Sequence, residues 1–429
     1  MAFITGIATL LALTGLFQSP PPSPSPTTPP ATPPATAPTA PAPPASTAGV
    51  STPTPPRSNE YVTWEKPRRY DMTFNVGIHS LAVADPRRPL LMPIVLQGAS
   101  SFVNLDTLRA EVQLHGERID GGSGPELING RGIFEEGMIE APTGGLTVDP
   151  NVLNQATQLR FRVFHEAICY SSEVDEAALQ SIPWPASWPS QARDALQPQT
   201  LIESDNPLFA NVVQEVSGGD LRLVPPWIAA KELVRHACNT IQKNGETTLY
   251  GPGRSIRGLD VNGALVAAQR GSGTPNDLVC VCVALLRAAG IPARPVIGRG
   301  EDRKGKKRLL VWGELYLPKA GWIPFDPDEI RRKGARHWKV RDDWTEFGTM
   351  SDLNRRVPLA YAFAPDNGQA AYDCYAIWGW SRLESMDFPV PVNQWQGRIG
   401  EQRLRVDAWN TPSVLHFEIV SHGRVDPAR

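Results

Sequence analysis

The 429-residue sequence predicts an α+β protein whose strands and helices lie in separate blocks along the chain. Two changes of period carry that expectation. From Tyr61 to Asp175 apolar residues alternate with polar ones, and beyond Pro183-Trp184-Pro185 and Trp188-Pro189 they recur at helical spacing. A helix stop at Gly290-Ile291-Pro292 then returns the chain to an extended run, Arg294 to Gly298. The expected order is an N-terminal β-sandwich-like domain, a core of helices followed by strands, and a C-terminal β-hairpin extension.

Before the first strand, residues 1–18 are uncharged and mostly apolar, which fits a signal peptide or a short membrane anchor, although neither a leading Lys or Arg nor a clean Ala-x-Ala site frames them. Residues 19–57 are almost entirely Pro, Ala, Thr and Ser, with no charge before Arg57. Such a segment has nothing to bury and reads as a disordered, polyproline-type stalk reaching on the order of 100 Å. Together they point to an exported protein, periplasmic or at the cell surface, with a possible membrane tether through residues 1–18.

Lys and Arg number 42 against 44 Asp and Glu, a net charge of -2 that provides no global field for nucleic acid or an anionic membrane. Nucleic acid is therefore not an expected partner. Five cysteines, Cys169, Cys238, Cys280, Cys282 and Cys374, are too few and too scattered for a disulfide scaffold. Cys280 and Cys282 point in different directions on a helix, and the seven histidines show no ligand spacing. Neither a metal nor a cofactor is implied.

In the β-rich domain, residues 58–180, the alternating runs are Met72 to Ile78, Leu108 to Leu114 and Leu159 to Val163, separated by breaks such as Gly121-Gly122-Ser123-Gly124. The helical block opens with Pro207 behind Asp205 and Asn206, running through Val216, and Pro226 opens a second helix through Ile241. Asp260 is expected to cap Val261 to Arg270, closed by Gly271. Thr274 caps the next helix, Pro275 suits its first turn and Asp277 answers the cap, with the helix running to Ala289. Arg303-Lys304-Gly305-Lys306-Lys307-Arg308 falls between two strands, either as a solvated hairpin tip or as a local contact for wall phosphates or acidic polysaccharide. Near the end, Leu404 to Trp409 and Ser413 to Val420 flank Asn410-Thr411-Pro412 as a terminal hairpin. Trp378 and Trp380 precede it, to pack over the core or to stack on a sugar ring.

The stretch Gly273-Thr274-Pro275-Asn276-Asp277, with Arg287-Ala288-Ala289-Gly290-Ile291-Pro292-Ala293-Arg294 at its far end, resembles the nucleophile helix of the transglutaminase-like superfamily. That pattern opens with Gly-x-Cys-x-Asp. The resemblance covers roughly Pro226 to Pro365 and places a transglutaminase-like domain at residues 200–365, with 366–429 as an extension. It implies helices packed on an antiparallel sheet, related to papain-like cysteine enzymes, and a Cys-His-Asp triad. On this comparison the cysteine falls on Pro275. The histidine of the His-x-Trp-x-Glu strand falls on Leu310, within Leu310-Val311-Trp312-Gly313-Glu314, and the aspartate falls on Asp326, after Gly321-Trp322. Proline has no nucleophile and leucine moves no proton, so only Asp326 survives, and it either caps its turn with Pro327 or keeps a chemical role. Asp277, Trp312, Glu314 and Trp322 are the remaining candidates for the cleft.

The expectation is a catalytically inactive transglutaminase-like protein, exported and acting as a binding or scaffolding module for a peptide, protein or envelope polymer through its remnant cleft. One rival is a thiol hydrolase on peptide or isopeptide bonds, with Cys280 or Cys282 as a relocated nucleophile and His337 as a displaced base. Burial of both thiols as small hydrophobes argues against it. Another is a purely structural envelope protein.

Overall fold

The computed structural model describes residues 53–79, 90–114, 117–118, 127–131, 142–148, 158–250, 256–301, 307–334, 337–363, 382–383, 386–387, 396–399, 402–405 and 415–425. The apolar start, most of the stalk, residues 303–306 of the basic run, Cys374, Trp378 and Trp380 lie outside them.

The alternating runs form long antiparallel strands. Val62–His79 pairs with Gln158–Val174, which pairs on its other side with Ser101–Leu114. Leu90–Val95, Pro142–Val148 and Leu127–Arg131 make a separate three-stranded sheet. Most of the expected C-terminal hairpin, residues 406–414, lies outside the described residues, and its described ends do not pair with each other. Leu415–Val425 instead pairs with Val62–His79 as an edge strand of the first sheet, and Gln402–Arg405 pairs with Gln396–Ile399. The physical reason is the edge. An unpaired strand of 18 residues presents a row of open N–H and C=O groups, and an alternating run of 11 satisfies them better than a short isolated hairpin does.

The helical block follows. Pro207–Ser217 is capped by the Asn206 side chain and closed by Gly218 at φ 61°, and Pro226–Thr240 comes next. Ala264–Arg270 begins later than expected, behind Gly263 at φ 100°, so Asp260 is not its cap. The Asp260 carbonyl instead accepts from Thr274 Oγ1 and Asn276 Nδ2, each at 2.8 Å, which commits that residue to the following helix.

Pro275–Ala288 is the central helix. Its run of Leu, Val, Cys and Ala is apolar on every side, the pattern of a helix with no solvent face, and every residue from Pro275 to Arg287 is buried. Valines lower helix propensity, and the cap and the burial offset that cost. Gly290 takes φ 77°, a left-handed value that favours glycine, and turns the chain into the sheet. That sheet is antiparallel, in the order Gly321–Phe325, Lys307–Leu317, Ala293–Glu301, Arg356–Ala360.

The first sheet and the core are joined. One apolar cluster runs from Tyr61, Val62, Tyr70 and Met72 through Trp227 and the central helix to Phe363. Ser172 and Met350 exchange backbone hydrogen bonds at 3.2 and 2.9 Å, and Tyr70 Oη donates to the Asn354 carbonyl at 3.0 Å.

Candidate functional site

The helix start at Pro275 is built as the sequence reads. Thr274 Oγ1 accepts from the Asp277 N–H at 3.1 Å, and Asp277 Oδ2 accepts from the Thr274 N–H at 2.9 Å. Asp277 also accepts from the backbone N–H groups of Asn262 and Gly263, at 2.5 and 2.9 Å, and from Asn262 Nδ2 at 3.2 Å. Its carboxylate is thus occupied by the loop that precedes Ala264–Arg270. Asn276 donates to the Asp260 carbonyl of that loop and to the Thr247 carbonyl, so a second loop closes over the same end of the helix.

On the strand Lys307–Leu317 the alternation separates two environments. Leu309, Val311 and Leu315 join the cluster that contains the central helix. Leu310 and Trp312 join a second cluster with Val296, Met350, Leu353 and Tyr361. Trp312 lies over Gly298, where an added Cβ would come within 2.4 Å of its ring, so glycine is required there by space. Farther along, Glu314 pairs with Arg294 through Nε at 2.8 Å and Nη2 at 2.6 Å. Arg294 in turn lies 4.0 Å from the ring centroids of both Trp322 and Tyr361. Burial raises the Glu314 pKa and Arg294 offsets part of that rise.

Asp326 has two structural tasks. Its Oδ1 accepts from the backbone N–H groups of Asp328 and Glu329, both at 3.1 Å, and so caps the short helix Pro327–Arg332. Its Oδ2 accepts from Arg356 Nη1 at 2.6 Å. Arg356 is 2% exposed and reaches Asp352 with its other terminal nitrogen, at 3.2 and 3.1 Å. Burial works against the Arg356 charge, but Asp326 and Asp352 outweigh it and hold its pKa above the ordinary guanidinium value. Burial likewise opposes the Asp352 charge, and Arg356 outweighs it, leaving that pKa lowered.

Pro275, Asp277, Leu310, Trp312, Glu314 and Asp326 are therefore all buried, and of the proposed cleft residues Trp322 alone keeps part of its surface in solvent. The structure links Glu314 with Trp322 through Arg294, and Asp326 with Trp312 through Arg356, whose Cζ lies 5.9 Å from the Trp312 ring centroid. Asp277 belongs to the helix cap. Arg356 and Arg294 are the residues that sequence reasoning missed. A charge opening the apolar run Arg356-Val357-Pro358-Leu359-Ala360 was the available signal, because a buried charge implies a partner.

The relocated-nucleophile candidates sit in apolar packing. Cys280 and Cys282 are fully buried, and burial pushes both thiols well above their ordinary pKa. Cys238 is pushed up to about 12 for the same reason, and its Sγ donates to the Pro327 carbonyl at 3.3 Å. A thiol held protonated is a poor nucleophile. His337 is exposed, on a turn closed by its N–H donating to the Gly334 carbonyl at 3.1 Å. Among the described residues no group of His, Cys, Asp and Glu is arranged to hold a metal.

Residues 228–327 match the model of the Transglutaminase-like superfamily, a span that contains Pro275, Leu310 and Asp326. No curated protein matches the chain. Among solved structures, a candidate cysteine protease from Cytophaga hutchinsonii is 13% identical with a TM-score of 0.43, covering 84% of this chain and 92% of that one. The periplasmic domain of TgpA from Pseudomonas aeruginosa is 15% identical with a TM-score of 0.29, covering 61% of this chain and 90% of that one. At that distance neither speaks to activity.

Proposed function

Since residues 228–327 are a transglutaminase-like superfamily domain, we propose that the protein is a member without acyl-transfer activity, exported, and working as a binding or scaffolding module. The observation that carries this reading is the state of Asp326. Its carboxylate is divided between a helix cap and a buried arginine, Pro275 stands at the start of the central helix, and Leu310 is packed in an apolar cluster. A Cys-His-Asp mechanism needs an attacking thiolate, a group that moves its proton and a carboxylate free to orient that group. Loss of the nucleophile alone costs on the order of a million-fold in turnover.

Export rests on the apolar residues 1–18 and the proline-rich residues 19–57. Among the described residues no helix is long and apolar enough to cross a membrane. A peptide, protein or envelope polymer reaching the remnant site meets Trp322 first, since its neighbours there are covered. The test combines two measurements on the native protein. Iodoacetamide at neutral pH, followed by peptide mapping, is expected to leave Cys238, Cys280 and Cys282 unlabelled until denaturant is added, and rapid native labelling of any of them contradicts the inactive reading. Retention on isolated envelope material is expected to fall in Trp322→Ala, and unchanged retention removes the remnant site as the contact.

A further inference from the structure

We infer that Arg356 occupies the place a general base would need beside Asp326, so that a resident cation, and not only a missing thiol and imidazole, keeps this centre from proton transfer. This rests on the inactive reading and names the residue that maintains it.

Both oxygens of Asp326 are already engaged. Oδ1 serves two backbone N–H groups and Oδ2 serves Arg356 Nη1 at 2.6 Å. A guanidinium only donates hydrogen bonds and does not lose its proton in a protein, whereas a base has to accept one. The guanidinium also lies on the appropriate side of the sheet. Its Cζ is 5.9 Å from the ring centroid of Trp312, and Trp312 shares its apolar cluster and its face of the strand with Leu310. A base at position 310 would therefore share with Trp312 the face of the strand beside which Arg356 lies. The charge balance adds to the case, because Asp326 and Asp352 both bond Arg356 and a planar cation is what such a pair of carboxylates selects.

Two arms test this. In the first, Leu310→His is prepared alone and together with Arg356→Met, and the new imidazole is titrated by nuclear magnetic resonance. With Arg356 present, the neighbouring positive charge keeps the imidazole pKa below its ordinary value. With Arg356 removed, Asp326 becomes available and the pKa rises by about one to two units. The same pKa in both variants overturns the inference.

The second arm needs no buried histidine. Arg356→Ala leaves a space beside two carboxylates, and millimolar imidazolium or guanidinium is expected to raise its melting temperature while leaving the unmodified protein unmoved. Tetramethylammonium, which has no N–H to donate, should do nothing. An Arg356→Ala protein that neither planar cation stabilises, or that stays unfolded with both, contradicts the assignment. Turnover by the unmodified protein would remove the inactive reading by itself, and the titration would still report who holds Asp326.

Discussion

Asp326 shows how one carboxylate can outlive its chemistry. Removing it strips the cap from Pro327–Arg332 and leaves Arg356, buried, with Asp352 as its remaining carboxylate partner. Breaking a buried pair by deleting one partner is far more costly than the pair is stabilising, so Asp326→Ala should lower stability by about 3–5 kcal/mol in urea denaturation. Asp326→Asn, which keeps an oxygen for the cap, should cost less. The capping role was legible in Asp326-Pro327 because it is local. The pairing with Arg356 was not, because no local pattern relates positions thirty residues apart across a sheet. His165 provides a second test at this scale, since burial lowers its pKa from 6.5 to about 4. The unfolded chain takes up the proton near pH 6.5 and the folded chain resists until about 4. Stability is therefore intact above pH 6.5 and declines as the pH falls toward 4, by up to about 3 kcal/mol. Replacing His165 with Asn should flatten that part of a stability-against-pH curve.

At the scale of elements, the central helix depends on its first turn as much as on its packing. Thr274→Ala removes the cap bond and the bond to the Asp260 carbonyl and should cost about 1–2 kcal/mol. Asp277→Ala also releases the Asn262 and Gly263 N–H groups and should cost more, about 2–4 kcal/mol, since hydrogen bonds to a buried charge are the stronger kind. Equal losses for the two variants in thermal melts would contradict the view that Asp277 pins the loop as well as the helix. This helix was readable in full because its signals, Thr274 with Asp277 at one end and Gly290 with Pro292 at the other, are adjacent in sequence. The helix before it was placed too early. Asp260 before an apolar run reads as a cap, yet the fold spends its carbonyl on Thr274 and Asn276, a demand that exists only in three dimensions.

Across the whole molecule, the first sheet is part of the structure that holds the transglutaminase-like domain together. Its strands share an apolar cluster with the central helix, and Ser172 and Tyr70 bond directly to Met350 and Asn354. A fragment restricted to residues 200–365 would expose that apolar face. It should lack a cooperative thermal transition, while a chain lacking only the stalk before Arg57 should keep one. The period-two runs announced these strands, but nothing in them announced that Leu415–Val425 would come back to pair with Val62–His79, because strand pairing at such separation depends on which edges remain open.

The most direct test of the account is a turnover measurement on the purified protein with glutamine-containing peptides and an amine donor, followed by mass spectrometry for ammonia loss, hydrolysis and crosslinks. The account predicts no product above the uncatalysed rate, with or without reducing agent. Product that requires a reduced thiol and disappears in Cys280→Ala or Cys282→Ala would contradict it.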